Sequence, residues 1–141
     1  MRPASIVNFE RVVILSLLVG LVATAVNWEH AVQATETIGF GSGLVIGVQV
    51  VSIALTLLLL YFISRRGSSV ARWIYVVLVG LAVAFSLANA SAVFVLPTVP
   101  VLLQLVQWLL SIISIWLLFT ADARAWFNRS TAEDVEPDAA V

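Results

Sequence analysis

The chain has 141 residues, of which 62% are hydrophobic and 11% charged, with a formal net charge of −1 and a mean hydropathy of +1.09. A soluble domain carries about 25% charged residues, so this composition marks an integral membrane protein with room for four spans and for no separate soluble domain. The dispersed basic residues form no continuous stripe, which excludes nucleic-acid binding, and the absence of cysteine excludes disulfides, thiolate catalysis and iron–sulfur ligation.

All seven basic residues are arginines, a usage that favours a bacterial source, and they fall in three clusters. Arg2 and Arg11 precede the first apolar run, Arg65, Arg66 and Arg72 divide the chain near its middle, and Arg124 and Arg129 follow the last run. Each intervening stretch is long enough to cross a bilayer twice, so all clusters are expected on one side. The positive-inside rule makes that side the cytoplasm, with Arg11, Arg65, Arg66, Arg72 and Arg124 as anchors.

The first span is expected from Val12 to Val26. Arg2 and Arg11 could also form the basic region of a signal peptide cleaved after Val32-Gln33-Ala34, but Glu10 abuts the apolar run and argues for a retained span. The second span runs from about Ile38 to Ile63 and ends in Tyr61, Phe62 and Arg65-Arg66, an interfacial anchor. Gly67-Ser68-Ser69 turns the chain back. The third span opens with Arg72, Trp73 and Tyr75 and continues to about Leu96. Pro97 and Pro100 split the uncharged stretch that follows Arg72, and the fourth span begins near Val99 and ends at Thr120. Asp122 to Phe127 reads as one or two interfacial helical turns. Residues 1–129 thus form a single four-span bundle, and 130–141, with Glu133, Asp134, Glu136 and Asp138, read as an acidic disordered tail.

Helices in lipid associate through close approach at small residues and through hydrogen bonds. Ser16, Gly20, Thr24 and Asn27 share one arc of the first span, and Gly80, Ala84, Ala88 and Ser91 repeat that spacing on the third. Ser42, Gln49, Ser52 and Thr56 form an arc on the second; Gln104, Gln107, Ser111 and Ser114 do so on the fourth. The fold class is therefore an all-α transmembrane four-helix bundle with these arcs inward. The spacing also allows two similarly oriented hairpins. Gly39, Gly43 and Gly47 mark a further stripe, expected to pack on another helix of the same bundle, with a dimer interface as the alternative. Gly20 and Gly80 are expected packing positions for the same reason.

No ionisable residue lies in the middle of any span, which counts against a pump or proton-coupled carrier. Gln49, Ser52, Gln104, Gln107, Ser111 and Ser114 are the candidate polar interior. The amides of Gln104 and Gln107 are expected to bond across to Ser42, Gln49 or Ser52 as interhelical glue, or else to line a solute path. His30, beside Glu29 and near Glu36, falls short of the three ligands of a catalytic zinc and reads as a wetted loop residue. No base accompanies a serine or threonine nucleophile. Neither cofactor nor metal nor enzyme activity is indicated. Glu10 and Asp122 are expected to join the cytoplasmic arginines in a screened ion-pair network.

The opening Arg2-Pro3-Ala4-Ser5-Ile6 with Phe9-Glu10-Arg11, and the closing Asp122-Ala123-Arg124-Ala125-Trp126-Phe127, resemble the ends of uncharacterised small four-span inner-membrane proteins of bacteria. The resemblance implies the same topology and source and brings no activity with it. The expectation is an accessory or scaffolding protein of the bacterial inner membrane, both termini cytoplasmic, that binds other membrane proteins, itself or lipid. The alternative is a small channel or facilitator for a neutral or polar solute.

Overall fold

In lipid every backbone amide must find its partner within its own segment, so long apolar runs without interior proline become helices. The computed structural model describes residues 3–91 and 98–135, without the side chains of 129–135. The elements in chain order are α1 (Ala4–Val26), α2 (Trp28–Glu36), α3 (Gly41–Arg66), α4 (Ser69–Ala88), α5 (Thr98–Leu118) and α6 (Ala121–Val135). No strand occurs among the described residues. Among the described residues, helices α1, α3, α4 and α5 are the four long and apolar enough to cross a membrane. The bundle is all-α, as the periodicity indicates. The expected end of the third span at Leu96 and Pro97 lies outside the described residues.

Local sequence sets the breaks. Gly67 ends α3 in the left-handed region at φ 59°, and the Ser68 N–H reaches back to the Phe62 carbonyl at 3.2 Å. Ser68 then caps α4, its hydroxyl accepting from the Ala71 N–H at 3.2 Å. Pro100 sits in the first turn of α5, where its missing N–H costs nothing. The junction of α5 and α6 is held by Arg124, whose Nε donates to the Phe119 carbonyl at 2.9 Å. A cation there also complements the negative end of the α5 dipole.

Two segments differ from expectation. The 27–37 connection contains helix α2 rather than an open loop: Ala31, Val32 and Thr35 lie half-buried on one face, and α2 packs on α3. Gly39 at φ 84° and Gly41 at φ 60° make the reversal between them, so Gly39 serves the turn and not a helix-packing stripe. At the other end α6 continues to Val135, longer than the one or two turns expected and into the segment read as tail.

Hydrogen bonds between helices define the order around the bundle. Thr24 donates to Gln49 and Ser64 to Glu10 on the α1/α3 side. Gln107 donates to Ser16 on the α1/α5 side. Trp108 donates to Ser86 and Tyr75 to Ser114 on the α4/α5 side. The tight turn at Gly67 closes the α3/α4 side. The cyclic order is α1, α3, α4, α5, up and down, with every neighbour antiparallel. Helices α1 and α5 pack along the most length.

Packing is uneven along the axis. The core consists of Ile6, Phe9 and Val13 of α1, Leu59, Leu60 and Ile63 of α3, Ala71 and Tyr75 of α4, Leu117 and Leu118 of α5, and Ala123 and Phe127 of α6. All of them lie at the end that carries the arginines. Phe9 meets Tyr75 across the bundle edge to face, with centroids 5.2 Å apart and rings at 85°. Toward the opposite end the helices separate, and large apolar side chains such as Ile46, Val50 and Leu102 are exposed.

Candidate functional site

Above the core the separating helices leave a cavity of about 320 Å³. Its floor is Val13, Tyr75 and Ser111, all buried. The α4 wall comes from Val79, Ala82, Val83 and Ser86, which with Tyr75 fall at helical spacing on one face. Helix α1 contributes Ser16, Leu17 and Gly20; α3 contributes Gln49, Ser52 and Thr56; α5 contributes Gln104, Gln107 and Trp108. Among the described residues no charged side chain lines it. Of the six positions expected in the polar interior, Gln49, Ser52, Gln104, Gln107 and Ser111 line this cavity. Ser114 lies just beneath it, 1% exposed, accepting from Tyr75 Oη at 3.0 Å and donating to the Ser111 carbonyl at 2.8 Å.

The amides act differently from each other. Gln49 Oε1 accepts from Thr24 Oγ1 at 2.9 Å, and Gln107 Nε2 donates to Ser16 Oγ at 2.7 Å. Both therefore tie α1 into the bundle. The expected bonds between the two glutamine-bearing helices, from Gln104 and Gln107 to Ser42, Gln49 or Ser52, are not formed: Ser42 is exposed, and α3 and α5 face each other across the cavity rather than as neighbours. Gln107 Oε1 is buried without a hydrogen-bond partner among the described residues. The Gln104 amide and the hydroxyls of Ser52 and Thr56 also have no hydrogen-bond partner among the described residues.

The small-residue expectations divide. Ser16 and Gly20 of α1 face the interior, but Gly80, Ala84 and Ala88 of α4 are exposed. The hairpin repeat is thus not expressed as equivalent faces, because α4 turns its bulkier Tyr75, Val79 and Val83 inward instead. A Cβ built at Gly20, Gly43, Gly47 or Gly80 would meet no heavy atom within 4 Å, so none of these glycines supports a close helix approach within this chain. At Gly20 the missing side chain adds space to the cavity.

A second cavity, about 390 Å³, lies toward the α2 end between α1 and α3, with Thr24, Asn27, Thr35 and Gln49 on its wall. It is lined mainly by aliphatic groups, and most of its polar groups are hydrogen-bonded within the chain. Thr24 bonds Gln49, and Thr35 donates to the Gly41 carbonyl at 2.7 Å. His30 is exposed on α2, and no group of three His, Asp or Glu among the described residues could hold a metal ion.

The arginine end is organised by rings and hydroxyls. Arg72 lies over Phe127 at 4.6 Å from the ring centroid, with Phe119 at 5.5 Å and Trp73 at 5.8 Å. Asp122 Oδ2 accepts from the Ser5 N–H at 3.2 Å. Hydrogen bonding to Ser5 and then to Thr120 holds its carboxyl down to about 2. Arg72 thus meets aromatic rings, and Asp122 neutral hydrogen-bond donors. Arg11, Arg65, Arg66 and Arg124 are exposed around them at the same end.

No protein-family model matches the chain, and no curated protein or solved structure is similar to it.

Proposed function

We propose that the chain is an accessory or scaffolding protein of the bacterial inner membrane that binds another membrane protein through the outer half of α3. The observation that carries this reading is the glycine face of α3. Gly43 and Gly47 are exposed, one turn apart, on a helix whose own bundle leaves the space beside them empty. In lipid, a backbone bared in this way permits close approach by a helix from outside the chain, the main source of attraction between spans. Both termini are assigned to the cytoplasm because the arginine clusters share one end of the bundle.

The channel alternative draws on the polar cavity. A facilitator needs a continuous path, however, and this cavity stops at the hydrogen-bonded pair Tyr75 and Ser114, with the buried apolar core beyond. The test uses the parent and the variants Gly43→Leu and Gly47→Leu, purified in mild detergent. Each variant should melt like the parent, because the added side chain meets nothing in its own bundle, and each should lose a companion protein that copurifies stoichiometrically with the parent. Retention of the companion, or a variant that melts well below the parent, would refute the proposal.

A further inference from the structure

Four polar groups on the wall of the main cavity have no partner among the described residues: the Gln104 amide, the Gln107 carbonyl oxygen, and the hydroxyls of Ser52 and Thr56. At mid-span depth bulk water is absent, and a polar group left unpaired there is strongly disfavoured. Two helices, α3 and α5, each bring two such groups to the same space or its edge, which a chain selected only for packing would fill with apolar side chains. The rest of the wall combines apolar side chains, Leu17, Val79, Val83 and Trp108 among them, with Ser16, Gln49, Ser86 and Ser111, each hydrogen-bonded within the bundle.

The entrance indicates from which phase a ligand would come. Among the described lining residues only Ser52 and Ala82 are exposed, one on α3 and one on α4. These helices are neighbours in the bundle and have no side-chain hydrogen bond between them among the described residues. Both positions fall well inside their spans, so the mouth opens sideways at the depth of the acyl chains. Ser52 also lies nine residues, or two and a half turns, beyond Gly43, which puts the mouth on the opposite face of α3 from the glycines. A partner seated on the glycine face would leave it open.

We propose that this cavity is a binding site for an uncharged amphiphile, a molecule with a hydroxyl- or carbonyl-bearing head and an alkyl body, that enters from the bilayer between α3 and α4. The head exchanges hydrogen bonds with Gln104, Ser52 and Thr56, since amide and hydroxyl both donate and accept. The body lies against Trp108 and the aliphatic wall and trails through the mouth into lipid. A cavity of about 320 Å³ is at the small end of ligand sites and suits a head with the first few carbons of its chain. Ionised molecules are rejected because no described residue of the lining offers a counter-charge. The site is independent of what α3 binds.

The experiment places the full chain in phosphatidylcholine nanodiscs and adds a monoacylglycerol with a diazirine near its head, alongside a fatty acid carrying the same diazirine and ionised at pH 8. After photolysis, labelled residues are mapped by mass spectrometry. The monoacylglycerol should label the cavity wall around Trp108 and Val83, and excess unlabelled monoacylglycerol should suppress this. The ionised acid should label lipid-facing positions only. Gln104→Leu, which breaks no hydrogen bond within the described chain, should reduce cavity labelling about tenfold, the effect of losing roughly one hydrogen bond in lipid. Ser52→Phe should block the mouth and reduce it as much. Melting temperatures of both variants should match the parent. Cavity labelling that is equal for the acid, insensitive to competition, or unchanged in both variants would overturn the proposal.

Discussion

Phe9→Ala tests whether the arginine end is the stabilising core. Phe9 is 0% exposed and its ring stands edge to face on Tyr75, so truncation leaves a hole among side chains from several helices. Phe→Ala in a packed interior costs about 3–5 kcal/mol. In detergent or lipid the apolar transfer contribution shrinks, because the unfolded reference is itself apolar, and about 3 kcal/mol is expected here. At this chain length each kcal/mol lowers the melting temperature by about 3–4 °C, giving a drop of about 10 °C. Leu18→Ala, at a site 55% exposed on the same helix, should change it by less than about 2 °C. The measurement is thermal unfolding of the purified protein in mild detergent, followed by far-UV circular dichroism. A cycle with Tyr75→Leu should return a coupling of about 0.5–1.5 kcal/mol for the ring pair. Equal losses from Phe9→Ala and Leu18→Ala, or a Phe9→Ala protein that melts with the parent, would refute the assignment of the core.

Gly67→Ala should destabilise by about 1–2 kcal/mol in the same assay, since its φ of 59° is costly for any residue with a Cβ. The Asp122 carboxyl, lowered from 3.8 to about 2, adds stability that is present above pH 4 and is lost as pH falls through 2. The gap in melting temperature between parent and Asp122→Asn should therefore be open at pH 5 and closed by pH 2, and a constant gap would contradict the contact with Ser5. For orientation, Gln33→Cys and Val70→Cys add single thiols to a chain without cysteine, at exposed positions on opposite ends of the bundle. In intact cells an impermeant thiol reagent should label the first and spare the second, and the reverse pattern would invert the topology.

The arcs of α1, α3 and α5 were legible in the sequence because polar residues at helical spacing stand out against leucine and valine. That periodicity puts Ser16, Gln49, Gln107 and Ser111 on inward arcs, and all four line the main cavity. Helix α4 misled for the opposite reason. Gly80, Ala84 and Ala88 imitate a packing stripe, while the true inward face, Tyr75, Val79, Val83 and Ser86, is mixed in size and polarity. Spacing alone cannot rank two faces of one helix, since the choice depends on neighbours distant in sequence. The partners of the amides were illegible for the same reason: Gln107 meets Ser16, 91 positions away. Helix α2 was missed because nine residues of moderate polarity sit between longer signals, although Ala31, Val32 and Thr35 already carried the period of a helix packed on one side.

The pairing of the first span with the last also dictates when the bundle can form. Thr24 and Gln49 are 25 positions apart, so α1 and α3 can associate as soon as α3 is inserted. The Ser5 amide must wait for Asp122, 117 positions later, and the whole α1/α5 side waits with it. At synthesis rates of about 5–20 residues per second, that interval is on the order of ten seconds. For that time Ser16 and Gly20 have no α5 beside them, and α1 must be held by the insertion machinery or by lipid until the final span arrives. Truncation before α5 would make that waiting state permanent, leaving the N-terminal spans as a substrate for membrane quality control.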